Sequence, residues 1–339
     1  MNRAFPLNTI DLHKLRRSLL EWYDEHRRQL PWRTDNDPYC VWVSEIMLQQ
    51  TRVAAVLEHY SRWMRRFPTV HKLAAARQPS VLAAWSGLGY YHRARRIHQA
   101  AKAIVRERRG KFPRTAQEWR TLPGIGRYTA AAIASIAFDE AVALVDGNVE
   151  RVLTRVFGPT PSKQAVWRHA EALLSPERPG DFNQAMMELG ATTCTPRAPQ
   201  CLLCPLMTWC RTRGIGATKL QAARIRRQLC YGLARRGNSV LLVQRAPDDS
   251  LMAGMWELPV GAVDGDNGDA PMARFRHSIT NTDYDVSVIL LSVKSSANFA
   301  PGAKWFTRKQ WEQLPLTGLT RKILRRLVVE SSLGASQSN

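Results

Sequence analysis

Four cysteines crowded into one short stretch are the strongest chemical signal in the sequence. Their spacing is Cys194-x6-Cys201-x2-Cys204-x5-Cys210. In a reducing compartment such crowding indicates a metal site rather than disulfides. Four thiolates can hold zinc or a 4Fe–4S cluster, and chemistry alone does not separate the two. Zinc ribbons usually pair two Cys-x2-Cys units, whereas one is present here, so the spacing favours the cluster.

Two acidic residues could supply paired carboxyl chemistry. Val41 and Leu48 share the helical face of Glu45 and can surround its carboxyl group with apolar surface. Such desolvation raises a carboxyl pKa toward the range that a general acid needs near neutral pH. Asp146 opens an Asp-Gly pair, which alone indicates a turn or helix cap. Together, one carboxyl could protonate a leaving group while the other faces a cationic sugar, as in glycoside hydrolysis. Glu45 alone fits the rim of a core helix equally well.

A glycine-containing connection, Leu122-Pro123-Gly124-Ile125-Gly126, lies between two helical patterns. Gly124 and Gly126 permit positive φ and close approach, and the N–H groups that open the next helix can bind a phosphate. A bare helix connection is the alternative, but Arg127 follows directly and a basic run precedes it. That run contains Arg93, Arg95, Arg96, Lys102, Arg106, Arg108, Arg109 and Lys111. The segment therefore predicts a helix–hairpin–helix that binds DNA.

The composition agrees with a nucleic-acid partner. The 339 residues include 49 Lys and Arg, 28 Asp and Glu, 11 Trp and 8 Tyr, with a formal net charge of +21. Lys and Arg gain affinity for phosphate backbones by releasing counterions, although a generally basic, solvated surface is the alternative. No apolar window approaches ~18 residues, and the first twenty are charged where a signal peptide would be apolar. We expect a soluble cytoplasmic protein, associated with the nucleoid in a prokaryote.

The elements that must position these residues fall into two domains. Residues 1–215 carry helical periodicity, and residues 229–330 carry short strand-like runs. Residues 211–228 hold six Lys and Arg and no acidic residue, which predicts a basic linker. Residues 331–339 form a small polar tail. The helical patterns cover Leu12–Tyr23, Val41–Leu48, Val53–Met64, Ala94–Val105, Ala116–Leu122 and Thr129–Ala137. The strand-like runs are Ser239–Gln244, Met255–Val260 and Val286–Val293.

Six motifs together resemble the MutY adenine DNA glycosylases of the helix–hairpin–helix superfamily. They follow that family's order over most of residues 1–215. The motifs are Leu30-Pro31-Trp32-Arg33, Ser44-Glu45-Ile46-Met47-Leu48-Gln49-Gln50-Thr51, Gly87-Leu88-Gly89-Tyr90-Tyr91, Leu122-Pro123-Gly124-Ile125-Gly126, Val145-Asp146-Gly147-Asn148-Val149 and the four-cysteine loop. The resemblance implies an all-α glycosylase domain with a 4Fe–4S cluster at residues 194–210, because that family and its endonuclease III relatives use this cysteine spacing. A smaller α/β domain follows.

The resemblance also implies a substrate, adenine mispaired with 8-oxoguanine or guanine in duplex DNA, flipped out by a monomeric enzyme. In that family's pattern Glu45 protonates the departing adenine, and Asp146, with Asn148 beside it, stabilises the oxocarbenium-like sugar. Gln50 and Tyr90 match residues that enter the base stack, and Leu88 belongs to the same DNA-binding set. Arg33 and Glu188 match positions that line the adenine pocket. The plain alternatives are a core aromatic for Tyr90 and a surface charge for Glu188.

Position 128 separates two subclasses. Bifunctional relatives carry a nucleophilic lysine after the hairpin, which forms a Schiff base with the sugar and nicks the strand. This chain has Tyr128, and a phenol cannot form that imine, so we expect a monofunctional glycosylase. A bifunctional pyrimidine-lesion glycosylase should show lysine there and lack the second domain. A non-enzymatic iron–sulfur DNA-binding protein is the other alternative, if Glu45 and Asp146 are structural.

The second domain resembles a Nudix (MutT-like) fold, as in the MutY C-terminal domain. The motifs are Val240-Leu241-Leu242-Val243-Gln244-Arg245 and Gly254-Met255-Trp256-Glu257-Leu258-Pro259. A Nudix hydrolase needs several glutamates on one helix, but residues 261–270 contain none, so we expect no hydrolase activity.

The loop that reads the oxidised guanine in that family is largely Phe-Ser-His, and here the sequence departs from it. Phe275-Arg276-His277-Ser278 matches the lead-in, but Ile279-Thr280-Asn281 stands in place of the loop. Thr280 keeps a hydroxyl, and Asn281 keeps a donor and an acceptor. We therefore expect a preference for 8-oxoguanine:A over G:A that survives but is weaker than in relatives with Phe-Ser-His.

Overall fold

The structure is a computed structural model that describes residues 11–158, 162–213, 224–246, 248–249, 252–260, 271–279, 281–291 and 302–329. The chain divides into two compact units. The helical unit comprises Met1–Ala75 and Arg96–Leu220, and the sheet unit comprises Ala76–Arg95 and Gln221–Asn339. In the described part of the chain, no helix is long and apolar enough to cross a membrane.

Eleven α-helices of the described chain precede the sheet. They are α1 (Leu12–His26), α2 (Pro38–Leu48), α3 (Val53–Arg66), α4 (Val70–Ala75), α5 (Gln78–Trp85), α6 (His92–Arg108), α7 (Ala116–Trp119), α8 (Arg127–Phe138), α9 (Gly147–Phe157), α10 (Lys163–Leu173) and α11 (Pro179–Thr192). Each helical segment predicted from periodicity lies on one of them. The segment predicted over 116–122 ends its helix early, at Trp119.

Helices α2, α8 and α11 form the centre of the helical unit. Asp37 begins α2 by accepting hydrogen bonds from the backbone N–H groups of Tyr39 and Cys40. Residues 39 and 41–47 of this helix are buried, which is why its sequence is apolar on every face. Buried alanines of α8 leave room for its neighbours. A Cβ on Gly190 of α11 would lie 2.6 Å from Cβ of Asn148, so glycine is required where α11 meets the start of α9.

The sheet unit contains a mixed sheet with the strand order β3-β2-β1-β5-β4, and β6 pairs with β2. The strands are β1 (Ile225–Arg236), β2 (Ser239–Gln244), β3 (Trp256–Glu257), β4 (Ala273–Ile279), β5 (Thr282–Leu291) and β6 (Lys304–Thr307). Two short helices follow, α12 (Arg308–Trp311) and α13 (Gly318–Leu324), and a π-helical turn occupies Arg325–Val329. Strand β1 pairs in parallel with β5, and the other pairings are antiparallel.

The strand predictions are confirmed in part. Strand β2 has the predicted bounds, the run predicted over 255–260 reduces to the two residues of β3, and the run predicted from Val286 lies within β5 as far as the described chain extends. Strand β1 was not predicted, and it begins inside the predicted linker 211–228. Its first residues pair with β5 although their side chains are exposed, so hydrophobic alternation provides no signal. The linker therefore extends no further than Arg224.

The compact units also differ from the predicted first domain, residues 1–215. Residues 76–95 belong to the sheet unit, because polar side chains of this segment bond to the backbone of the C-terminal part of the chain. Tyr91 Oη donates to the Leu316 carbonyl at 3.3 Å, and Arg95 donates to the Ala253 carbonyl. The residues predicted to lack the Nudix glutamates, 261–270, and the tail 331–339 lie outside the described residues.

Candidate active site

One cavity of the helical unit brings together most of the residues predicted to do chemistry. Helix α2, the start of α8, the start of α9 and helix α11 all contribute side chains to it. Its lining includes Arg28, Arg33, Glu45, Gln50, Gly126, Tyr128, Asp146, Asn148 and Glu188. The alternative of a surface position for Glu188 is wrong, because that residue is buried.

Glu45 is the buried acid of this cavity. It is only 6% exposed, and Val41 and Leu48 line the cavity beside it, as the helical spacing predicted. Burial raises the pKa of Glu45 to about 7, and the negative charge of Asp146 adds to the increase, while the hydrogen bond from Tyr128 and the charge of Arg33 oppose it. Near neutral pH, roughly half of such groups carry a proton that can be donated.

Tyr128 not only stands in place of a lysine but also donates a hydrogen bond inside the cavity. No local pattern in the sequence predicted this hydrogen bond. Tyr128 Oη donates to Glu45 Oε2 at 2.6 Å, and it lies 3.4 Å from Met187 Sδ. Burial raises the pKa of Tyr128 well above its ordinary value, and the nearby charges of Glu45 and Asp146 raise it further. The phenol therefore stays protonated and acts as a donor to the carboxyl group.

Asp146 both begins helix α9 and faces the cavity. Its Oδ1 accepts from the backbone N–H groups of Asn148 and Val149 at 2.9 and 2.7 Å, and its Oδ2 accepts from Asn148 Nδ2 at 2.9 Å. Burial raises the pKa of Asp146, and these three hydrogen bonds favour the charged form. Asp146 is therefore both the helix cap and a carboxylate that faces the cavity. The cap fixes where the carboxylate points.

Arg151 holds Asn148 in place. Its Nη2 donates to Asn148 Oδ1 at 2.8 Å and to the Gly190 carbonyl at 2.6 Å, and its Nε donates to the Cys194 carbonyl at 2.9 Å. The amide oxygen of Asn148 therefore accepts a hydrogen bond from Arg151, and its amide nitrogen donates one to Asp146. The orientation of the carboxylate depends on contacts that reach the start of the cysteine loop.

Glu188 is held by two arginines at the opposite wall. Arg28 Nε and Nη2 donate to Oε1 and Oε2 at 2.6 and 2.8 Å, and Arg33 Nη2 donates to Oε2 at 3.0 Å. Burial alone would raise the pKa of Glu188, but the hydrogen bond from Arg28 and the charges of Arg33 and Arg28 bring it below its ordinary value. Arg28 was not predicted, because one arginine in a basic chain carries no local signal.

Two residues implied to enter the DNA stack have unusual backbone conformations. Gln50 and Tyr90 have φ values of 56° and 47°, a region that residues with a Cβ rarely adopt. Such conformations persist only where the surroundings impose them, and they concentrate at functional sites. The strain supports a functional role for both residues.

The hairpin before α8 has the features of a phosphate site. Gly124 has a φ of 81°, and a Cβ there would lie 2.6 Å from Cβ of Arg96. Gly126 begins α8 without a side-chain cap, so the N–H groups of the first turn are available to an anion. Arg127 does not extend freely from this hairpin. Its guanidinium lies 3.6 Å from the Trp167 ring centroid and pairs with Glu171 at 2.8 Å.

The basic run upstream is not uniformly exposed. Arg93 is buried, and burial lowers its pKa to about 10. Arg108 pairs with Glu118, and Arg106 pairs with Glu107. The prediction that Arg93 supports DNA binding is therefore wrong, because helix periodicity turns that residue inward.

The four predicted cysteines surround one small cavity. Cys194, Cys201, Cys204 and Cys210 line it together with Arg155. Burial raises the pKa of Cys204 to about 11, and the other three thiols raise it further because they lie nearby. Arg155 Nη1 donates to Cys194 Sγ at 3.3 Å, and Cys210 Sγ donates to the Arg155 carbonyl at 3.4 Å. One residue of α9 therefore contacts both ends of the loop.

Four cysteine thiols around one cavity are a donor set that suits a 4Fe–4S cluster. Among the residues that the structure describes, no group of three or more His, Cys, Asp or Glu converges closely enough to hold one metal ion. In a 4Fe–4S cluster each thiolate binds a different iron, so the four sulfurs need not converge on a point. The guanidinium of Arg155 beside Cys194 suits thiolate ligands, since it would offset negative charge.

A second cavity lies within the sheet unit. Its lining includes Leu88 and Tyr90 from the segment 76–95, and His277 and Ser278 from β4. The predicted reading residue Asn281 is exposed in the turn that joins β4 to β5, and it does not line this cavity. Thr280 lies outside the described residues. Tyr90 is half-buried, with the guanidinium of Arg93 5.4 Å from its ring centroid.

The N-terminal, helix-rich part of the chain matches a known protein family. Residues 43–176 match the family model of the HhH-GPD superfamily base excision DNA repair proteins. This range contains Glu45, the hairpin glycines and Asp146.

Curated relatives and solved structures agree with that match. The chain is 37% identical to the adenine DNA glycosylase of Mus musculus, covering 93% of this chain and 78% of that protein. It is 36% identical to the adenine DNA glycosylase of Homo sapiens, covering 91% of this chain and 73% of that protein. Among solved structures, a thermostable thymine-DNA glycosylase aligns with a TM-score of 0.55 at 28% identity, over 60% of this chain and 99% of that one.

Proposed function

The chain belongs to the adenine DNA glycosylases of the HhH-GPD superfamily, and we propose that it is monofunctional and releases adenine opposite 8-oxoguanine or guanine in duplex DNA. The observation that carries the proposal is the buried Glu45, hydrogen-bonded to Tyr128 and in the same cavity as Asp146. A proton donor and a carboxylate facing one cavity are what cleavage of a glycosidic bond requires.

In the proposed reaction, adenine leaves with the electron pair of the glycosidic bond and takes the proton of Glu45. The sugar becomes cationic, and the carboxylate of Asp146 stabilises that charge in a partly desolvated site. Water then adds to the sugar, and its proton goes to the carboxylate of Glu45, which restores the acid. Arg151 and Asn148 keep Asp146 aimed at the cavity throughout.

The lining of the cavity supports monofunctional chemistry. A lyase needs an amine that can form a Schiff base with the sugar. None of the described residues that line the cavity is a lysine. Tyr128 occupies the position of the lyase lysine, and its hydroxyl is engaged by Glu45.

The cavity of the sheet unit supports recognition of the opposite base. Tyr90 and Leu88 share it with the polar side chains of His277 and Ser278. The half-buried ring of Tyr90 can stack on a base, while the imidazole of His277 and the hydroxyl of Ser278, whose own proton is donated to Asp283 Oδ1, can hydrogen-bond the edge of the base. Ser278 and His277 therefore join Thr280 and Asn281 as candidates for reading the oxidised guanine.

We further propose that Cys194, Cys201, Cys204 and Cys210 hold a 4Fe–4S cluster. When bound, the cluster supplies a crosslink that fixes the loop between α11 and the end of the helical unit. Through the Cys194 carbonyl, the same loop supports Arg151 and so the position of Asn148.

Single-turnover adenine release from 8-oxoguanine:A and G:A duplexes tests the proposal, with borohydride trapping on abasic DNA alongside. We expect release from both duplexes, faster with 8-oxoguanine, and no trapped adduct above that of an inert basic protein. Ser278→Ala and Asn281→Ala should lower the ratio of the two rates. Trapping through a specific lysine, or release of no adenine from either duplex, would contradict the proposal.

A further inference from the structure

The loop Ser86–Tyr91, hereafter the wedge loop, adopts a backbone conformation that needs external support. Gly87, Gly89 and Tyr90 have φ values of 108°, 70° and 47°. A Cβ at Gly89 would meet nothing within 4 Å, so the backbone angle rather than space requires glycine there. Tyr90 has no such freedom, and a side chain in this region is stable only where its surroundings hold it.

The middle of the wedge loop is held by its own flanking helices. Arg93 Nη2 donates to the carbonyls of Leu88 and Gly89 at 3.1 and 3.4 Å, and Trp85 Nε1 donates to the Gly89 carbonyl at 3.1 Å. These bonds satisfy the carbonyl groups of Leu88 and Gly89, which lie in the part of the loop that has positive φ values.

Both ends of the wedge loop are held by the C-terminal part of the chain. Arg321 Nε donates to Ser86 Oγ at 2.9 Å, and Ser86 Oγ donates to the Leu316 carbonyl at 3.1 Å. Tyr91 Oη donates to the same carbonyl at 3.3 Å, and Arg321 Nη2 donates to the Leu314 carbonyl at 3.3 Å. Ser86, Tyr91 and Leu316 are buried, so these bonds are shielded from water.

We propose that Arg321 is a positioning residue for DNA opening, which holds the wedge loop in the conformation that presents Tyr90. This inference rests on the proposed function, in which the cavity that contains Tyr90 recognises the base opposite the adenine, and on the sequence resemblance that places Tyr90 in the base stack. Arg321 links the loop to the segment 314–321, whose carbonyls hold Ser86 and Tyr91. Without the guanidinium, Ser86 loses one of its buried hydrogen bonds and the strained turn loses an anchor at its first residue. Tyr90 then samples other conformations, and the duplex opens less readily.

The test compares Arg321→Met and Arg321→Lys with Arg325→Met, an exposed arginine one turn further along the same C-terminal segment. Single-turnover release is measured on an 8-oxoguanine:A duplex and on a duplex with a one-nucleotide gap opposite the adenine, where no opposite base must be held open. Arg321→Met should lose about tenfold on the first substrate, as expected for a lost charged hydrogen bond. It should lose far less on the second. Arg321→Lys should recover part of the loss, and Arg325→Met should match wild type.

Opening of the stack is measured directly with 2-aminopurine placed beside the opposite base. At saturating protein, Arg321→Met should give a smaller fluorescence increase than wild type, whereas Arg325→Met should give the same increase. Equal rate losses on both substrates, or an unchanged fluorescence increase, would overturn the inference. Wild-type protein that releases no adenine contradicts the proposed function instead, and the fluorescence comparison then still decides the role of Arg321.

Discussion

The hydrogen bond from Tyr128 to Glu45 predicts a shift in the pH dependence of adenine release. Its O···O distance is 2.6 Å, Glu45 is buried and Tyr128 is partly buried, so the bond stabilises the ionised carboxylate. Tyr128→Phe removes this donor and keeps the ring. A hydrogen bond to a charged group contributes about 1.5–3 kcal/mol, and one pH unit corresponds to about 1.4 kcal/mol. The pKa of Glu45 should therefore rise, and the midpoint of the profile should move upward by about one to two pH units.

The direction of the pH shift follows from the protonation state of Glu45 that is active. Glu45 works as an acid, so the rate of release falls as pH rises through its pKa, which is about 7 in the native chain. In Tyr128→Phe the acid form persists to higher pH. Asp146→Asn should move the midpoint the other way, because the charge of Asp146 raises the pKa of Glu45. The height of each profile can change for other reasons, whereas its midpoint reports the acid.

The assay is single-turnover adenine release from an 8-oxoguanine:A duplex at closely spaced pH values on either side of neutrality. Tyr39→Phe is the matched control, since Tyr39 Oη is also buried and donates at 2.6 Å, but to the Phe67 carbonyl. Its midpoint should coincide with that of wild type. A Tyr128→Phe midpoint that is unmoved or lower would refute the assignment of Glu45 as the titrating acid.

Three further outcomes are expected. Glu45→Gln should keep mispair binding and lose adenine release, and a variant that retains more than about a tenth of the single-turnover rate would rule out general acid catalysis by this residue. Glu188→Gln should lower the free energy of unfolding in urea by about 2 kcal/mol. This loss is smaller than the roughly 3–5 kcal/mol usual for a broken buried ion pair, because the Arg28 side chain is 38% exposed. An unchanged free energy of unfolding would show that the ion pair adds no stability. The purified protein should be brown with about four irons per chain, and Cys204→Ser should lose them; stoichiometric zinc from iron-replete cells would contradict this.

Features that depend on neighbours close in sequence were predicted well. The apolar surroundings of Glu45 follow from Val41 and Leu48, which the helical repeat places on its face. Asp146 serves as the helix cap that its Asp-Gly pair indicated, and it also faces the cavity. The four cysteines meet around one cavity because few residues separate them.

Features that depend on distant partners were not predicted. Strand β1 shows no alternation signal because its partner β5, rather than its own pattern, stabilises it. Arg93 belongs to a basic run in the sequence, yet it is buried and holds the wedge loop. Thr280 lies outside the described residues, so its assignment stays a prediction.

The sequence by itself determined the residue types of the site and their local geometry, because helix periodicity, caps and cysteine spacing act over a few residues. Only the tertiary structure decided which of these groups meet. Tyr128 reaches Glu45 across 83 positions, Arg28 reaches Glu188 across 160, and Arg321 reaches Ser86 across 235. Periodicity shows which face of an element is buried but not what covers it, since the partner is chosen by packing of the whole chain.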